Sequence, residues 1–241
     1  MIPLQQPVES ITRAAPDWAD VTRVHVNEIN VDAVAVRSSG SLSRLYTLTV
    51  TDDSLEVLAR ERIEGKLLPD FCPQRHINLG GTFCLGLNAG QAIGDDNAPA
   101  WWEKLRLFLL CQDTASETGA WPDYAQMSHG AAGEIEARAE QVAQSIAKLD
   151  EFRLAVRSNA GPIAACLHKV RSTGRLRNGR SACLCGRVDG KGRPLLRRQC
   201  HDEGCPIEFE FARRLETDKF WESMQGRRCC GSMSECLLSR P

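Results

Sequence analysis

Residues 71–86 of this 241-residue chain read FCPQRHINLGGTFCLG. The stretch places His76, Asn78, the pair Gly80-Gly81 and Cys84 in one short loop bracketed by apolar residues. Glycine adopts positive φ without steric cost, so the pair permits a tight turn that brings Asn78 back beside Cys84. Because a side-chain amide can donate to a developing oxyanion, the pattern suits a cysteine that carries an acyl group.

The same loop also has a purely structural interpretation. His76 would then pack and cap the backbone, and Cys84 would be a small buried hydrophobic residue, as free cysteines usually are. Sequence alone leaves both interpretations open, and we favour the functional one for Cys84 and Asn78.

Two segments carry a family resemblance. His76-Ile77-Asn78 and Gly81-Thr82-Phe83-Cys84-Leu85 resemble the His-Pro-Asn and Gly-x-Ile-Cys-Leu signature of the ubiquitin-conjugating enzymes. The resemblance is greatest to divergent bacterial members, in which a tryptophan pair follows the cysteine, as Trp101-Trp102 does here. Ile77 stands where that family has proline, and the segment from asparagine to cysteine is shorter than in the eukaryotic enzymes.

The resemblance implies a transferase with Cys84 as its nucleophile. Cys84 would accept a ubiquitin-like modifier as a thioester from an activating enzyme and pass it to an amine on a target protein. It also implies that Asn78 stabilises the oxyanion and that His76 shapes the loop without transferring protons. The bacterial members belong to antiphage operons, so antiviral defence is implied as well. Asp95 and Asp96 could assist the attacking amine, but helix capping is the expected role for them.

Composition indicates a soluble globular protein, with 42% hydrophobic and 25% charged residues. The sequence has no apolar run of 18 residues, and its start, Met1–Pro7, lacks the basic and apolar regions of a signal peptide. We therefore expect a cytoplasmic protein without a membrane partner.

Charge divides the chain into two regions. The formal net charge is −1 overall, but it is −9 over residues 1–150 and +8 over residues 151–241. Basic residues are densest between Arg171 and Arg198, where Asp189 is the only acid. An ordinary solvated surface is the favoured interpretation of this stretch. The alternative is a docking face for an acidic protein or for nucleic acid, since such a patch raises association rates by electrostatic steering. Nucleic acid is not the expected partner.

Cysteines are concentrated in the same basic region. Cys183-Leu184-Cys185-Gly186 followed by Cys200-His201 resembles the zinc motif at the C-terminus of SecA. Two thiolates from one tight knuckle and a later pair can complete a tetrahedral site, which predicts a structural zinc ion. The predicted ligands are Cys183, Cys185, Cys200 and either His201 or Cys205. Three further cysteines could supply a replacement ligand, a second incomplete site or packing only: Cys229, Cys230 and Cys236.

The hydrophobic pattern predicts an α+β fold. Four β-type runs between residues 21 and 58 predict an antiparallel meander, after a short helix or irregular lead-in over residues 8–20. A helix is predicted from about Trp101 to Cys111, with an apolar stripe, and a long one from Gly133 that extends through Phe152 and Val156 to Asn159. The predicted domains are 1–158, a ubiquitin-conjugating-like core, and 159–241, a basic zinc-binding region.

Two other functional classes remain in competition. One is a conjugating-like binding module whose cysteine is idle and whose basic zinc region recognises protein or nucleic acid. The other is a cysteine hydrolase in which His129 serves Cys84 as the base. Only geometry could support that second pairing.

Overall fold

The computed structural model describes residues 6–239. The predicted absence of a signal peptide concerns Met1–Pro7, of which residues 1–5 lie outside the described range. The chain forms two compact units. The first comprises residues up to 125 together with those from 227 onward, and the second comprises residues 126–226. We describe each unit by itself.

The first unit is built on a four-stranded antiparallel meander. Helix α1, Pro7–Arg13, precedes strands β1 (Ala19–His25), β2 (Glu28–Ala33), β3 (Tyr46–Asp52) and β4 (Val57–Glu61). The strands pair in sequence order, β1-β2-β3-β4, with every pair antiparallel. The predicted meander and the α+β class are therefore confirmed.

One face of the sheet supports the core of this unit. In β3, Tyr46, Leu48 and Val50 are fully buried while the residues between them are partly exposed, as alternation along a half-buried strand requires. Helix α2, Ala98–Thr118, contributes its buried face to the same core. The predicted apolar stripe is confirmed, because its four members are all buried: Trp101, Leu105, Phe108 and Leu109.

The second unit contains the remaining α-helices of the described chain. They are α3 (Ala131–Ser145), α4 (Leu149–Ser158), α5 (Gly161–Ala165), α6 (Arg197–Glu203) and α7 (Pro206–Ser223). The prediction of one long helix from Gly133 is wrong in one respect, because the segment forms two helices, α3 and α4. Ala147 between them has φ 54°, a left-handed conformation that an α-helix cannot continue through. The predicted end is confirmed, since Asn159 caps α4 with φ 51°.

Residues 227–239, which we call the returning segment, complete the first unit. The main-chain N–H of Ser234 donates to the carbonyl oxygen of Gly119 at 2.8 Å. Met233 and Cys236 are buried in the core beneath the sheet. The compact units therefore divide at other points than the predicted boundary at residue 158, because α3 and α4 pack in the second unit and the returning segment packs in the first.

No helix within residues 6–239 is both long and apolar enough to cross a membrane.

Candidate functional site

Residues 76–84 form a tight hairpin at the edge of the first unit's core. Ile77 pairs with Phe83, and the N–H of Asn78 donates to the carbonyl oxygen of Thr82 at 2.8 Å. The N–H of Cys84 donates to the carbonyl oxygen of His76, also at 2.8 Å. The predicted site residues are thus held by main-chain hydrogen bonds, which depend little on the side chains.

The turn of the hairpin requires its glycines. The N–H of Gly81 donates to the carbonyl oxygen of Asn78 at 3.1 Å, which closes a four-residue turn with Gly80 in the third position. Gly80 has φ 85° and Gly81 has φ 80°, and a residue with a β-carbon at the third position of such a turn would be strained. The positive-φ turn predicted from the sequence is confirmed.

The two faces of the hairpin differ in burial. Ile77 and Phe83 are buried in the core. Since neighbouring side chains on paired strands point to opposite faces, His76, Asn78, Thr82 and Cys84 share the other face, which is exposed at Asn78, partly exposed at Thr82 and Cys84, and buried at His76. Asn78 and Cys84 are diagonal partners there, a relation that places residues about 7–8 Å apart in antiparallel pairs.

Asn78 is exposed and only lightly held. Its Nδ2 donates to Thr82 Oγ1 at 3.4 Å, near the limit for a hydrogen bond. The turn itself is closed by main-chain groups, so this amide is not required to maintain it. It is free to turn toward a different acceptor.

Cys84 is half-buried, and burial raises the pKa of its thiol. A hydrogen bond from the main-chain N–H of Gly86 lowers that pKa, while the Glu56 carboxylate raises it. Burial prevails, so Cys84 is mainly a neutral thiol at neutral pH.

His76 has a packing role in this geometry. It is 2% exposed and adopts φ 54° at the base of the hairpin. Its ring lies 4.9 Å from the ring of Trp121, centroid to centroid. Non-glycine residues occupy this left-handed region only where surrounding structure holds them, so the histidine fixes the point at which the chain enters the hairpin.

A buried clamp behind the hairpin is a feature that sequence reasoning missed. Arg75 Nε donates to Gln112 Oε1 at 2.8 Å, and Gln112 Nε2 donates to the carbonyl oxygen of Arg75 at 2.7 Å. Both residues are buried, and they fasten the hairpin base to α2. The sequence signal for this pair is Gln112 itself, a polar residue that follows the apolar stripe of α2.

The two acids near α2 lie at the surface. Asp95 accepts a hydrogen bond from Arg13 at 2.6 Å. Asn97 occupies the N-cap position of the helix without a capping hydrogen bond, and its Oδ1 accepts from the N–H of Gly94 in the preceding turn at 2.8 Å. Neither Asp95 nor Asp96 is the capping residue that the sequence suggested.

Four buried cysteines form a candidate metal centre in the second unit. The sulfur atoms of Cys183, Cys185, Cys200 and Cys205 all lie within 4.8 Å of one another. Individual Sγ–Sγ distances are 3.2 Å for Cys183 and Cys185, 3.5 Å for Cys185 and Cys200, and 3.6 Å for Cys183 and Cys205. Four converging thiols match the ligand set of a structural zinc site.

Local structure explains the convergence. Cys183 and Cys185 come from a knuckle in which the N–H of Cys183 donates to the carbonyl oxygen of Leu195 at 2.7 Å. Cys200 lies on α6, and Cys205 immediately precedes α7. The alternative ligand His201 points elsewhere, since its Nδ1 lies 2.6 Å from a carboxylate oxygen of Glu208.

Mutual contacts shift the acidity of these thiols. Hydrogen bonds with Cys183 lower the pKa of Cys185 and raise the pKa of Cys200 and Cys205. Opposite shifts are expected for ionisable groups that share a small volume, because one thiolate opposes the ionisation of the next. A divalent cation would stabilise all four as thiolates.

His129, the candidate base of a hydrolase, belongs to the second unit, whereas Cys84 belongs to the first. Its ring stacks on Phe220 at 4.6 Å, and burial lowers its pKa to about 4. A histidine with that pKa is a poor proton acceptor at neutral pH. Its surroundings are those of a packed aromatic cluster.

Comparison with protein families agrees with this arrangement. Residues 18–123 match the model of the prokaryotic E2 domain, and residues 128–238 match the model of a cysteine-rich domain that is C-terminal to E2 domains. The chain carries a prokaryotic E2 domain followed by a cysteine-rich domain. No curated protein and no solved structure matches the chain.

The E2 match covers the meander, the 76–84 hairpin and α2. It supports a role like that of a conjugating enzyme, which in general interacts with ubiquitin-like proteins and activating enzymes. The match to the cysteine-rich domain covers the four clustered thiols, which could hold a metal ion. It also covers residues 227–238, which pack in the same compact unit as the E2 domain.

Proposed function

We propose that the protein is a ubiquitin-conjugating-type transferase with Cys84 as its nucleophile. The Cys84 sulfur attacks the thioester that joins a ubiquitin-like modifier to an activating enzyme, and the activating enzyme's thiol leaves. An amine of the target protein then attacks the new thioester. The amine loses a proton, Cys84 leaves as a thiolate, and an amide bond remains.

The observation that carries this proposal is the diagonal pairing of Asn78 and Cys84 on one face of the 76–84 hairpin. Each transfer passes through a tetrahedral intermediate with a negative oxygen. The exposed Asn78 amide, held only by a 3.4 Å hydrogen bond, can turn to donate to that oxygen. The N–H of Gly86 stabilises the Cys84 thiolate whenever it is the leaving group.

We further propose that the cysteine-rich domain holds a structural zinc ion at Cys183, Cys185, Cys200 and Cys205. The donor set fits, because the four thiols are buried and mutually close. Four protein ligands fill a tetrahedral zinc, so the ion has no open position for water or substrate. The ion would stabilise the knuckle and its basic surroundings and take no part in the chemistry.

The basic face of the cysteine-rich domain is the proposed docking surface for the activating enzyme. Several of its cations are exposed, among them Arg171, Arg175 and Arg180. Such a face raises association rates with an acidic partner.

A cytoplasmic location is proposed because it suits the eleven free cysteines. A role in antiphage defence is proposed from the family resemblance alone.

A charging assay tests the central proposal. The full-length protein is mixed with a candidate modifier, its activating enzyme and ATP, and run on gels with and without reductant. We expect a reductant-sensitive adduct that Cys84→Ala abolishes and that Cys84→Ser converts to a reductant-resistant oxyester. Cys111→Ala should leave the adduct intact. An adduct that persists on Cys84→Ala would contradict the proposal, and an uncharged wild type beside a competent activating enzyme would favour the idle binding module.

Docking is tested separately by reversing charge. The triple variant Arg171→Glu, Arg175→Glu, Arg180→Glu should charge slowly when the activating enzyme is dilute and normally when it is abundant. Lys219→Glu, an exposed cation on α7, is the matched control. Unchanged charging of the triple variant at every enzyme concentration would remove this surface as the docking site.

A further inference from the structure

Two cysteines of the unit that contains the 76–84 hairpin lie in contact, apart from the candidate metal centre. The Sγ atoms of Cys72 and Cys230 are 3.1 Å apart, although 158 residues separate them in sequence. A disulfide bond places its sulfur atoms about 2.05 Å apart, so the two need to close by only about 1 Å to become covalently linked. The fold therefore assembles a thiol pair from distant parts of the chain.

The two thiols differ in their access to solvent. Cys72 is 1% exposed within the main core, whereas Cys230 packs against that core half-buried. A small oxidant can therefore reach the Cys230 sulfur, while Cys72 is shielded behind it. Redox-active pairs commonly combine an accessible sulfur with a second cysteine that resolves its oxidised form.

Hydrogen bonds connect Cys230 to a buried cation. Arg75, which is 2% exposed, donates from Nη1 to Ser232 Oγ at 3.1 Å, and that oxygen lies 3.1 Å from Cys230 Sγ. Arginine can only donate, so the serine oxygen accepts from it and the serine proton is available to the sulfur. A hydroxyl in this orientation stabilises the thiolate form of Cys230.

The acidity of the two thiols agrees with this geometry. Burial raises the pKa of Cys230, but hydrogen bonds with Ser232 and Cys72 and the nearby Arg75 cation outweigh it, so the pKa lies below its ordinary value. Burial raises the pKa of Cys72 far above its ordinary value. Because the thiolate is the form that peroxides attack, Cys230 is the more reactive of the two.

We propose that Cys72 and Cys230 form a reversible redox site whose oxidant is hydrogen peroxide. The Cys230 thiolate attacks one peroxide oxygen, the O–O bond breaks, hydroxide leaves, and Cys230 becomes a sulfenic acid. The Cys72 sulfur then attacks the Cys230 sulfur, and the sulfenic OH leaves as water with the proton of Cys72. The pair has lost two electrons to peroxide, and a thiol reductant restores it by thiol–disulfide exchange.

The disulfide would lock the returning segment in place. Cys72 exchanges two main-chain hydrogen bonds with Ile77, each at 3.0 Å, at the base of the hairpin that carries Cys84. A bond from Cys72 to Cys230 joins the segment covalently to this base. It also closes a long loop in the unfolded chain, which disfavours unfolding.

Peptide mapping of the full-length protein tests the pairing. The reduced protein is treated with equimolar hydrogen peroxide, alkylated with iodoacetamide and digested with trypsin without reductant. Cys72 is the one cysteine of the tryptic peptide 67–75, and Cys230 lies in the peptide 229–241. We expect mass spectrometry to find these peptides joined and dithiothreitol to separate them. Absence of the joined peptides, or equal yield from protein unfolded in urea before oxidation, would overturn the proposal.

The assignment to Cys230 needs its own test, because the peptide 229–241 also contains Cys229 and Cys236. Cys230→Ser should lose the joined peptides, whereas the matched controls Cys229→Ser and Cys236→Ser should keep them. Cys72→Ser should leave a sulfenic acid on Cys230, which dimedone traps. Fragmentation of the joined wild-type peptides locates the bond without any substitution, and a bond to Cys229 or Cys236 would overturn the proposal.

Discussion

The main-chain N–H of Cys84 donates to the carbonyl oxygen of His76 at 2.8 Å, so the buried histidine and the half-buried cysteine face each other across the hairpin. The position of Cys84 is therefore set in part from the histidine side of the hairpin. Under the proposed function, residues that position Cys84 can be tested separately from residues that act on its acyl group.

Asn78 is proposed to act on the acyl group that Cys84 carries. Asn78→Ala should slow discharge of the thioester to an amine by about 10²-fold, because one oxyanion donor is lost. Charging should slow less, and the folded state should be unaffected, since main-chain bonds close the turn. Single-turnover discharge and charging rates measure the difference. Thr82→Val, which removes only the amide's resting partner, is the control, and an equal loss in that variant would indicate a role in turn geometry.

His76 is proposed to position Cys84 in the hairpin. His76→Ala should lower the free energy of unfolding by about 1–3 kcal/mol, because a buried ring and its contact with Trp121 are lost. Asn tolerates left-handed backbone, so His76→Asn should lose less than His76→Ala. Urea denaturation measures both. The pH profile of charging should keep its shape in each variant, and a lost limb in that profile would instead assign proton transfer to the histidine.

Burial and Glu56 both raise the pKa of Cys84, so its alkylation by iodoacetamide should accelerate through a pH range above that of an ordinary cysteine. Glu56→Gln removes a nearby negative charge that disfavours the thiolate. The midpoint of the rate profile should therefore move to lower pH, with faster alkylation at neutral pH. Glu64→Gln, an exposed acid beyond β4, should leave the profile where it is. A shift to higher pH would contradict this electrostatic account.

The two candidates for the fourth ligand of the proposed zinc site, Cys205 and His201, can be distinguished directly. Cys205→Ala should lower the zinc content by one ion per chain, because its sulfur lies in the cluster. His201→Ala should retain the full content, since that ring hydrogen-bonds with Glu208. Elemental analysis measures both variants. If His201→Ala loses zinc and Cys205→Ala does not, His201 is the fourth ligand and Cys205 is not.

Met233 tests how the returning segment contributes to the E2 domain. It is 8% exposed in the core, so Met233→Ala should destabilise that domain by about 2 kcal/mol or more. Leu237 in the same segment is 39% exposed, and Leu237→Ala should cost about 0.5 kcal/mol or less. Urea unfolding followed by tryptophan fluorescence suits the measurement, because four of the five tryptophans lie in this unit. Equal effects would place the segment outside the core.

Much of the fold follows from local pattern. The β-type runs from Val21 onward, the apolar stripe of α2 and the Gly80-Gly81 turn depend on short-range preferences, and the structure has all three, although Val24 and Val26 of the first run are exposed. The break at Ala147 could not be predicted, because alanine favours helix and only tertiary packing holds it at positive φ. Of the site, the hairpin residues carried local signals, whereas the partnership of Arg75 with Gln112 depends on tertiary contact.

The path of the chain imposes an order on its folding. Residues 227–239 leave the ribosome only after the whole of the cysteine-rich unit, yet they supply core residues beneath the sheet that carries the hairpin. A nascent chain that has exposed only residues 1–125 lacks Met233 and Cys236, so its core is unfilled. The E2 domain can therefore reach its final packing only after the second unit has been synthesised, so completion of one domain depends on synthesis of the other.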